Sequence, residues 1–256
     1  TRTSVHSKTP AKEIVLKKVA MAMIVYASCA GATLAQNFPT RPIRVVVPFP
    51  AAGNVDTYIR QLARQMKGGV GQPLVIDNRG GGGGVIGADL AAKATPDGHT
   101  LLLGNATTHA INVSLKDNLP YDPVRDFAPI SLTAHHPLVL AAHPALPTGS
   151  VRDLIELARA RPGQVLYAST GNGSSPHLST EIFKMQTGLD IVHVPYKGSP
   201  QGVVDLLAGQ VSLMMAATSS LMPHVPTGRV RALAVSSRQR TDSAPGLPTM
   251  HEAGVP

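Results

Sequence analysis

The chain has 256 residues, of which 43% are hydrophobic and 15% charged, with 24 glycines, 22 prolines, no tryptophan and 4% aromatics. That length buries one large core or two small ones, and the composition excludes a disordered chain, a collagen-like repeat and a disulfide-stapled miniprotein. The formal charge of +8 is concentrated at one end: five of the bases (Arg2, Lys8, Lys12, Lys17, Lys18) and one acid (Glu13) fall within the first 35 residues, so the rest carries an excess of only four. With few aromatics and no dense basic cluster beyond Arg229, Arg231, Arg238 and Arg240, the sequence gives no nucleic-acid surface.

Residues 1–35 read as an export signal. Lys12, Lys17 and Lys18 form a positive region, residues 19–29 are uncharged and mostly apolar, and cleavage is expected after Ala32 or Ala35. The stretch is too short and too rich in Ala, Ser and Gly for a spanning helix. Its Cys29 follows Tyr26, Ala27 and Ser28, a poor lipidation context, so the mature chain is expected to be periplasmic and free of cysteine.

Past the signal, strand and helix patterns alternate. Ile43–Val47 is a β-branched run ending at Pro48, as in a strand buried on both faces. Asn54 or Asp56 is placed to cap a helix carrying Val55, Ile59, Leu62 and Met66 at the 3.6 period. A strand over Pro73–Asp77, a glycine run, a helix near Val85–Ala94 and a strand over Thr100–Leu103 complete a βαβαβ unit. Residues 105–130 read as irregular, and Ser131–Ala142 as an extended segment broken by Pro137. A second unit follows: a helix opened by the Ser150–Asp153 capping box, strands at Val165–Ala168 and Ile191–Val194, helices at Leu178–Met185 and Pro200–Ala208, and strands at Val211–Met215 and Val230–Val235.

This gives an α/β chain of two lobes. The expected division is 1–35 signal, 36–133 first lobe, 134–236 second lobe, and 237–256 returning to the first lobe. Val47-Pro48-Phe49 and Val194-Pro195-Tyr196 each end a strand and lead through small residues into a helix. Two such corners facing across a cleft present two helix N-termini to one ligand beyond the strand ends.

Three features bear on chemistry. Gly82, Gly84 and Gly87 satisfy G-x-G-x-x-G, but five consecutive glycines do so almost automatically, and the preceding strand is the second of its unit. A tight turn is the favoured reading of Gly80–Gly87; a nucleotide-dependent oxidoreductase is the alternative. Thr170–His177 is a Gly-rich loop with hydroxyls leading into a helix, suited to an anion; it lacks the order of a nucleophile elbow. His135, His136, His143, His177, His193 and His224 show no ligand spacing, so no metal and no cofactor are expected.

At this point the residues resemble a known family. Pro42–Phe49 with Ala51–Asp56, Gly71-Gln72-Pro73 with Asn78-Arg79, Asp97–Leu102, Leu119–Pro123, Asp126–Pro129, Tyr167–Ser175, Pro176–Leu178 and His193–Gly198 are similar to the tripartite tricarboxylate transporter substrate-binding proteins, the Bug family. The resemblance implies a type II periplasmic-binding-protein fold that captures a small carboxylate between two lobes for the membrane permease subunits of a tripartite transporter. It implies a monomer and no enzyme activity. A binding protein that has lost its transporter and serves a sensor is a further alternative.

Carried onto this sequence, the resemblance places a first-lobe ligand loop at Phe49–Asp56, with Phe49, Ala52, Gly53, Asn54 and Asp56. Thr107 and Thr108 follow the third strand. The second lobe supplies Ser169, Gly173, Ser174 and Ser175, then Tyr196, Lys197, Gly198 and Ser199. The expected grip uses the backbone N–H groups of Ala52, Gly53, Ser174 and Ser175 with the side chains of Thr108, Tyr196 and Ser199. Three departures stand out. Ala52-Gly53-Asn54 replaces the family's Gly-Gly-Pro. Ser212–Ala217 lacks the family's acids near the cleft, which favours an anion and makes Ser219 a replacement contact. The chain stops at Gly254-Val255-Pro256, where the family continues, so a first lobe incomplete at its C-terminal end is expected.

Overall fold

The computed structural model describes residues 38–255. The expected export signal lies outside them.

The first lobe is built on β1 (Ile43–Val47), flanked in parallel by β2 (Leu74–Asn78) and β3 (Thr100–Leu102) in the order β2-β1-β3. As the central strand, β1 is covered on both faces, and Val46 and Val47 are wholly buried. Helix α1 (Asn54–Gln65) lays Ile59, Leu62 and Val55 on Val45 and Val47. Ile59 is buried and contributes about 1.5–3 kcal/mol, and the half-buried Leu62 and Val55 contribute less each. Arg44 ties β1 to β2 by donating to Asp77 from Nε at 2.8 Å. Helix α2 (Val85–Ala92) packs against β1 and β3.

The segment read as irregular contains one ordered piece. Residues Thr107–Ile111 form a π-helical turn that runs into the short helix α3 (Asn112–Leu115). Its polar composition has no amphipathic period. Tertiary contacts hold it: Tyr121 donates its buried hydroxyl to Thr108 O at 2.7 Å, and Asn112 donates Nδ2–H to Gly83 O at 3.0 Å.

In the second lobe, five strands run in the order β6-β5-β7-β4-β8. These are β4 (Leu138–Ala142), β5 (Leu166–Ser169), β6 (Val192–Pro195), β7 (Leu213–Ala217) and β8 (Arg231–Val235). β5 is parallel to β6 and β7, whereas β4 runs antiparallel to both β7 and β8, so the sheet is mixed. Helices α4 (Val151–Ala160) and α5 (Ser175–Thr187) bury Leu154, Ala158 and Phe183 on one face. α6 (Ser199–Leu207) and α7 (Thr218–Leu221) bury Val203, Leu206 and Leu221 on the other. Ser150 caps α4, accepting the Asp153 N–H at 3.1 Å as its motif requires.

The expected return of 237–256 to the first lobe is not the path of the described residues. Val235 N–H donates to Pro248 O, Met250 N–H donates to Val235 O, and Val255 is buried in the cluster around Leu140 and Leu154. The apolar side chains of Ala244, Met250 and Val255 find their cover on the five-stranded sheet.

Candidate functional site

The two Pro-bearing corners meet. After β1 the chain turns through Pro48, Phe49 and Pro50 to Ala52, which sits at φ 61, a left-handed conformation unusual for a residue with a side chain. A carboxylate supports that turn. Asp56 Oδ2 accepts the Ala52 N–H at 2.9 Å, and Arg60 Nε–H reaches Asp56 Oδ1 at 2.9 Å. Asp56 is 3% exposed. Burial opposes its charge, yet the hydrogen bonds from Arg60, Ala52 and Asn78 outweigh burial and hold its carboxyl below the usual range. The cap of α1 is therefore neither Asn54 nor Asp56 but Gly53, in extended backbone with no side-chain bond, because Asp56 is committed to the preceding turn.

The second corner leaves β6 through Tyr196 and Lys197 to Gly198, the cap of α6. A Cβ on Gly198 would lie 3.1 Å from Pro50 Cγ, and one on Gly53 would lie 3.7 Å from Ser199 Oγ. Glycine at 198 lets the corners approach, while at 53 a Cβ would reach Ser199 at ordinary contact distance.

A cavity of about 250 Å³ opens there. The α1 end contributes Ala52, Asn54 and Thr57, and the α6 end contributes Ser199, Pro200 and Val203. Ser219, Ser220 and His224 close it from α7 and the turn behind it. Among the described residues no carboxylate lines it, while hydroxyls, an amide, an imidazole and two helix N-termini do. Partial positive charge and unpaired N–H groups at helix starts favour an anion.

Of the sequence-predicted residues, Ala52, Asn54, Ser199 and Ser219 line this cavity, and Gly53 sits at its edge. Phe49 packs on the first-lobe core and its carbonyl accepts Asn78 Nδ2–H at 3.2 Å. Lys197 is exposed and Gly198 buried at the α6 start.

Several expected contacts are instead spent on the fold. The Ala52 N–H belongs to Asp56, and the Ser174 N–H donates to Gly171 O at 3.1 Å. Thr107 and Thr108 are buried, and Thr108 Oγ1 accepts the Asn105 N–H at 3.0 Å. Tyr196 donates its hydroxyl to Asp205 Oδ2 at 2.6 Å, and burial together with that carboxylate pushes its phenol up to about 12. Ser169 Oγ accepts the Gly171 N–H at 3.1 Å and lies 2.6 Å from His193 Nε2. Ser174 Oγ caps α5, whose first residue is Ser175. The loop carrying Gly173 faces the first lobe at another point, where a Cβ on Gly173 would lie 2.8 Å from Leu115 Cδ1.

Thr57, Pro200, Val203, Ser220 and His224 were not singled out as contacts in the sequence. Thr57 was within reach, three residues after Asn54 on one helical face; His224 lies in the Met222–His224 turn, which has no sequence signature.

The glycine run has a packing role. Gly82, Gly83 and Gly84 have φ of 60, 71 and 86, and a Cβ on Gly87 would lie 2.7 Å from Pro48 Cα and 2.9 Å from Arg79 O. It lets α2 close onto the first corner.

A family profile described as "Tripartite tricarboxylate transporter family receptor" matches residues 58–256. The chain belongs to that receptor family. Protein BugT of Bordetella pertussis is 42% identical over 234 residues, covering 91% of this chain and 72% of BugT. Among solved structures, an R. palustris protein with adipate is 41% identical at a TM-score of 0.83, covering 86% of this chain and 74% of that one. MatC of Rhodopseudomonas palustris with bound malate is 32% identical at a TM-score of 0.79, covering 85% and 74%. This chain has the two-lobed type II periplasmic-binding-protein fold, and the family resemblance in the sequence is confirmed. Among the described residues no helix is long and apolar enough to cross a membrane.

Proposed function

We propose that this receptor captures a small carboxylate between its lobes in the periplasm and presents it to the membrane subunits of a tripartite transporter, without catalysing a reaction. The carrying observation is the acid-free cavity between the α1 and α6 starts, with Asn54 and Ser199 on facing walls. The relatives with adipate and malate give the ligand class. The grip consists of Gly53 N–H, Asn54, Ser199 and Ser219, assisted by the helix ends. A charge-assisted hydrogen bond contributes about 1.5–3 kcal/mol, so several neutral donors hold a carboxylate without an arginine. Closure of the lobes excludes water and supplies the form a permease recognises.

Residues 36–133 and 134–236 act as the two lobes of a monomer, and residues 1–35 direct export and are removed. Calorimetric titration with adipate, malate, succinate and an amino-acid panel tests the ligand class, with NADH as the control for the nucleotide alternative. Heat from a carboxylate and none from NADH is expected; NADH binding alone overturns the proposal. N-terminal sequencing of periplasmic material tests export, and an intact N-terminus would defeat it.

A further inference from the structure

One cluster of titratable side chains lies outside the cavity, under the loop that joins β5 to α5. Ser174 Oγ accepts the His177 N–H at 3.3 Å, and His177 Nδ1 accepts the Gly173 N–H at 3.1 Å. This is a variant of the capping box, with histidine three residues after the Ser174 cap reaching back to the N–H of Gly173, the residue before the cap. The backbone N–H of Gly173 can only donate, so His177 Nδ1 must be unprotonated for the bond to exist. The His177 ring stacks on His193 at 4.1 Å between centroids and 25° between planes, and His193 stacks in turn on Tyr167 at 4.8 Å. His193 Nε2 lies 2.6 Å from Ser169 Oγ, which holds the Gly171 N–H. The two imidazoles therefore meet the loop at Ser169 and at Gly173.

We propose that His177 is a positioning residue that holds the 169–175 loop in its lobe-facing shape only while its Nδ1 is unprotonated, so that acid releases the loop and weakens capture. The proposal rests on the reading of the interlobe cleft as the capture site. The charged or titratable groups facing the pair are Tyr167 from β5 and Glu181 and Lys184 from α5, besides each imidazole facing the other. Lys184 lies over the Tyr167 ring and donates to Glu181 Oε1 at 2.9 Å, and Glu181 accepts the Tyr167 hydroxyl. Burial, with His177 adjacent, pushes His193 down to about 4, so that ring stays neutral. A proton on His177 Nδ1 removes the acceptor from Gly173 and creates an attraction to Glu181, one turn further along α5. The loop then loses its hold at the point where Gly173 meets Leu115 of the first lobe.

The test compares the parent with His177→Asn, whose Oδ1 accepts without titrating, and His177→Leu, which cannot accept. Adipate affinity is measured by calorimetry from pH 8 to pH 5.5, the protonation of adipate being common to all three. His177→Leu should bind about tenfold more weakly than the parent at pH 8, as a lost acceptor implies. On acidification the parent should fall about tenfold relative to His177→Asn. Parallel pH profiles for the parent and His177→Asn overturn the proposal. Amide exchange of Gly173 without ligand, corrected for the intrinsic pH dependence, is read alongside. Faster exchange in acid for the parent but not for His177→Asn supports the device, and equal behaviour overturns it. If no carboxylate binds at any pH, the capture reading fails while the exchange result still decides the role of His177.

Discussion

Asp56 Oδ2 accepts the Ala52 N–H at 2.9 Å, so a carboxylate in the first turn of α1 also holds the strained turn before it. The same carboxylate takes Arg60 Nε–H, which turns a left-handed alanine into a fixed wall of the cavity. Asp56→Ala removes both bonds and leaves the Ala52 N–H without its acceptor. Hydrogen bonds to a charged group contribute about 1.5–3 kcal/mol, so urea unfolding should show a loss of that order at pH 7. The carboxyl is held below its usual 3.8, so its contribution is complete above that value and vanishes as pH falls through the lower folded-state value. The stability curves of parent and variant should converge once the pH has fallen below that lowered value. A gap that persists in strong acid would assign the loss to packing instead.

Gly87→Ala tests the purpose of the glycine run. The added carbon would lie 2.7 Å from Pro48 Cα and 2.9 Å from Arg79 O, and both obstacles are backbone. Overpacking of this kind costs about 1–3 kcal/mol, and in a chain of this size each kcal/mol lowers the thermal midpoint by about 2–4 °C. Addition of NADH should raise the midpoint of neither protein. A protective shift in the parent alone would return the run to nucleotide binding.

Thr108→Val should separate fold from grip. Thr108 is wholly buried, and among the described residues its hydroxyl bonds within the segment 105–109. Valine strands the Asn105 N–H and costs about 1–3 kcal/mol of stability, with adipate affinity little changed once the protein is folded. Ser199→Ala should do the reverse, weakening adipate by about two- to tenfold with little thermal effect. Thermal melts and titrations on both variants check the pair, and a large affinity loss in Thr108→Val would bring this residue into the grip.

Much of this was legible in the residues because the signals were local. The apolar run of β1, the Ser150 cap and the two Pro-bearing corners all appear where short-range sequence placed them. Sheet partners are less legible: β4 reads as any apolar strand, and its antiparallel pairing with β7 and β8 depends on chain path rather than on its own pattern. The π-helical turn at Thr107–Ile111 is fixed by Tyr121 and, through Asn112, by Gly83, both distant in the sequence. The candidate cavity was legible in part for a related reason. Residue type marks which groups suit an anion, but a donor such as the Ala52 N–H is already committed by a bond that only the folded turn reveals.

A Gly53 series addresses the grip most directly. Gly53 has φ −75, so a side chain introduces no backbone strain there. A Cβ would lie 3.4 Å from Pro50 O and 3.7 Å from Ser199 Oγ, close to ordinary contact distance. Gly53→Ala should therefore fold and retain adipate binding within about tenfold, the loss coming from a narrowed gap between the corners. Gly53→Leu carries three further carbons into the space between Gly53 and Ser199, where they displace ligand and keep the corners apart. Its affinity should fall by more than about a hundredfold, beyond that of Ser175→Ala, since Leu blocks the approach itself whereas Ser175→Ala removes one hydroxyl. Calorimetry with adipate and malate, supported by a melt showing that Gly53→Leu is folded, gives the order directly. Parental affinity in folded Gly53→Leu would move the site away from these two corners.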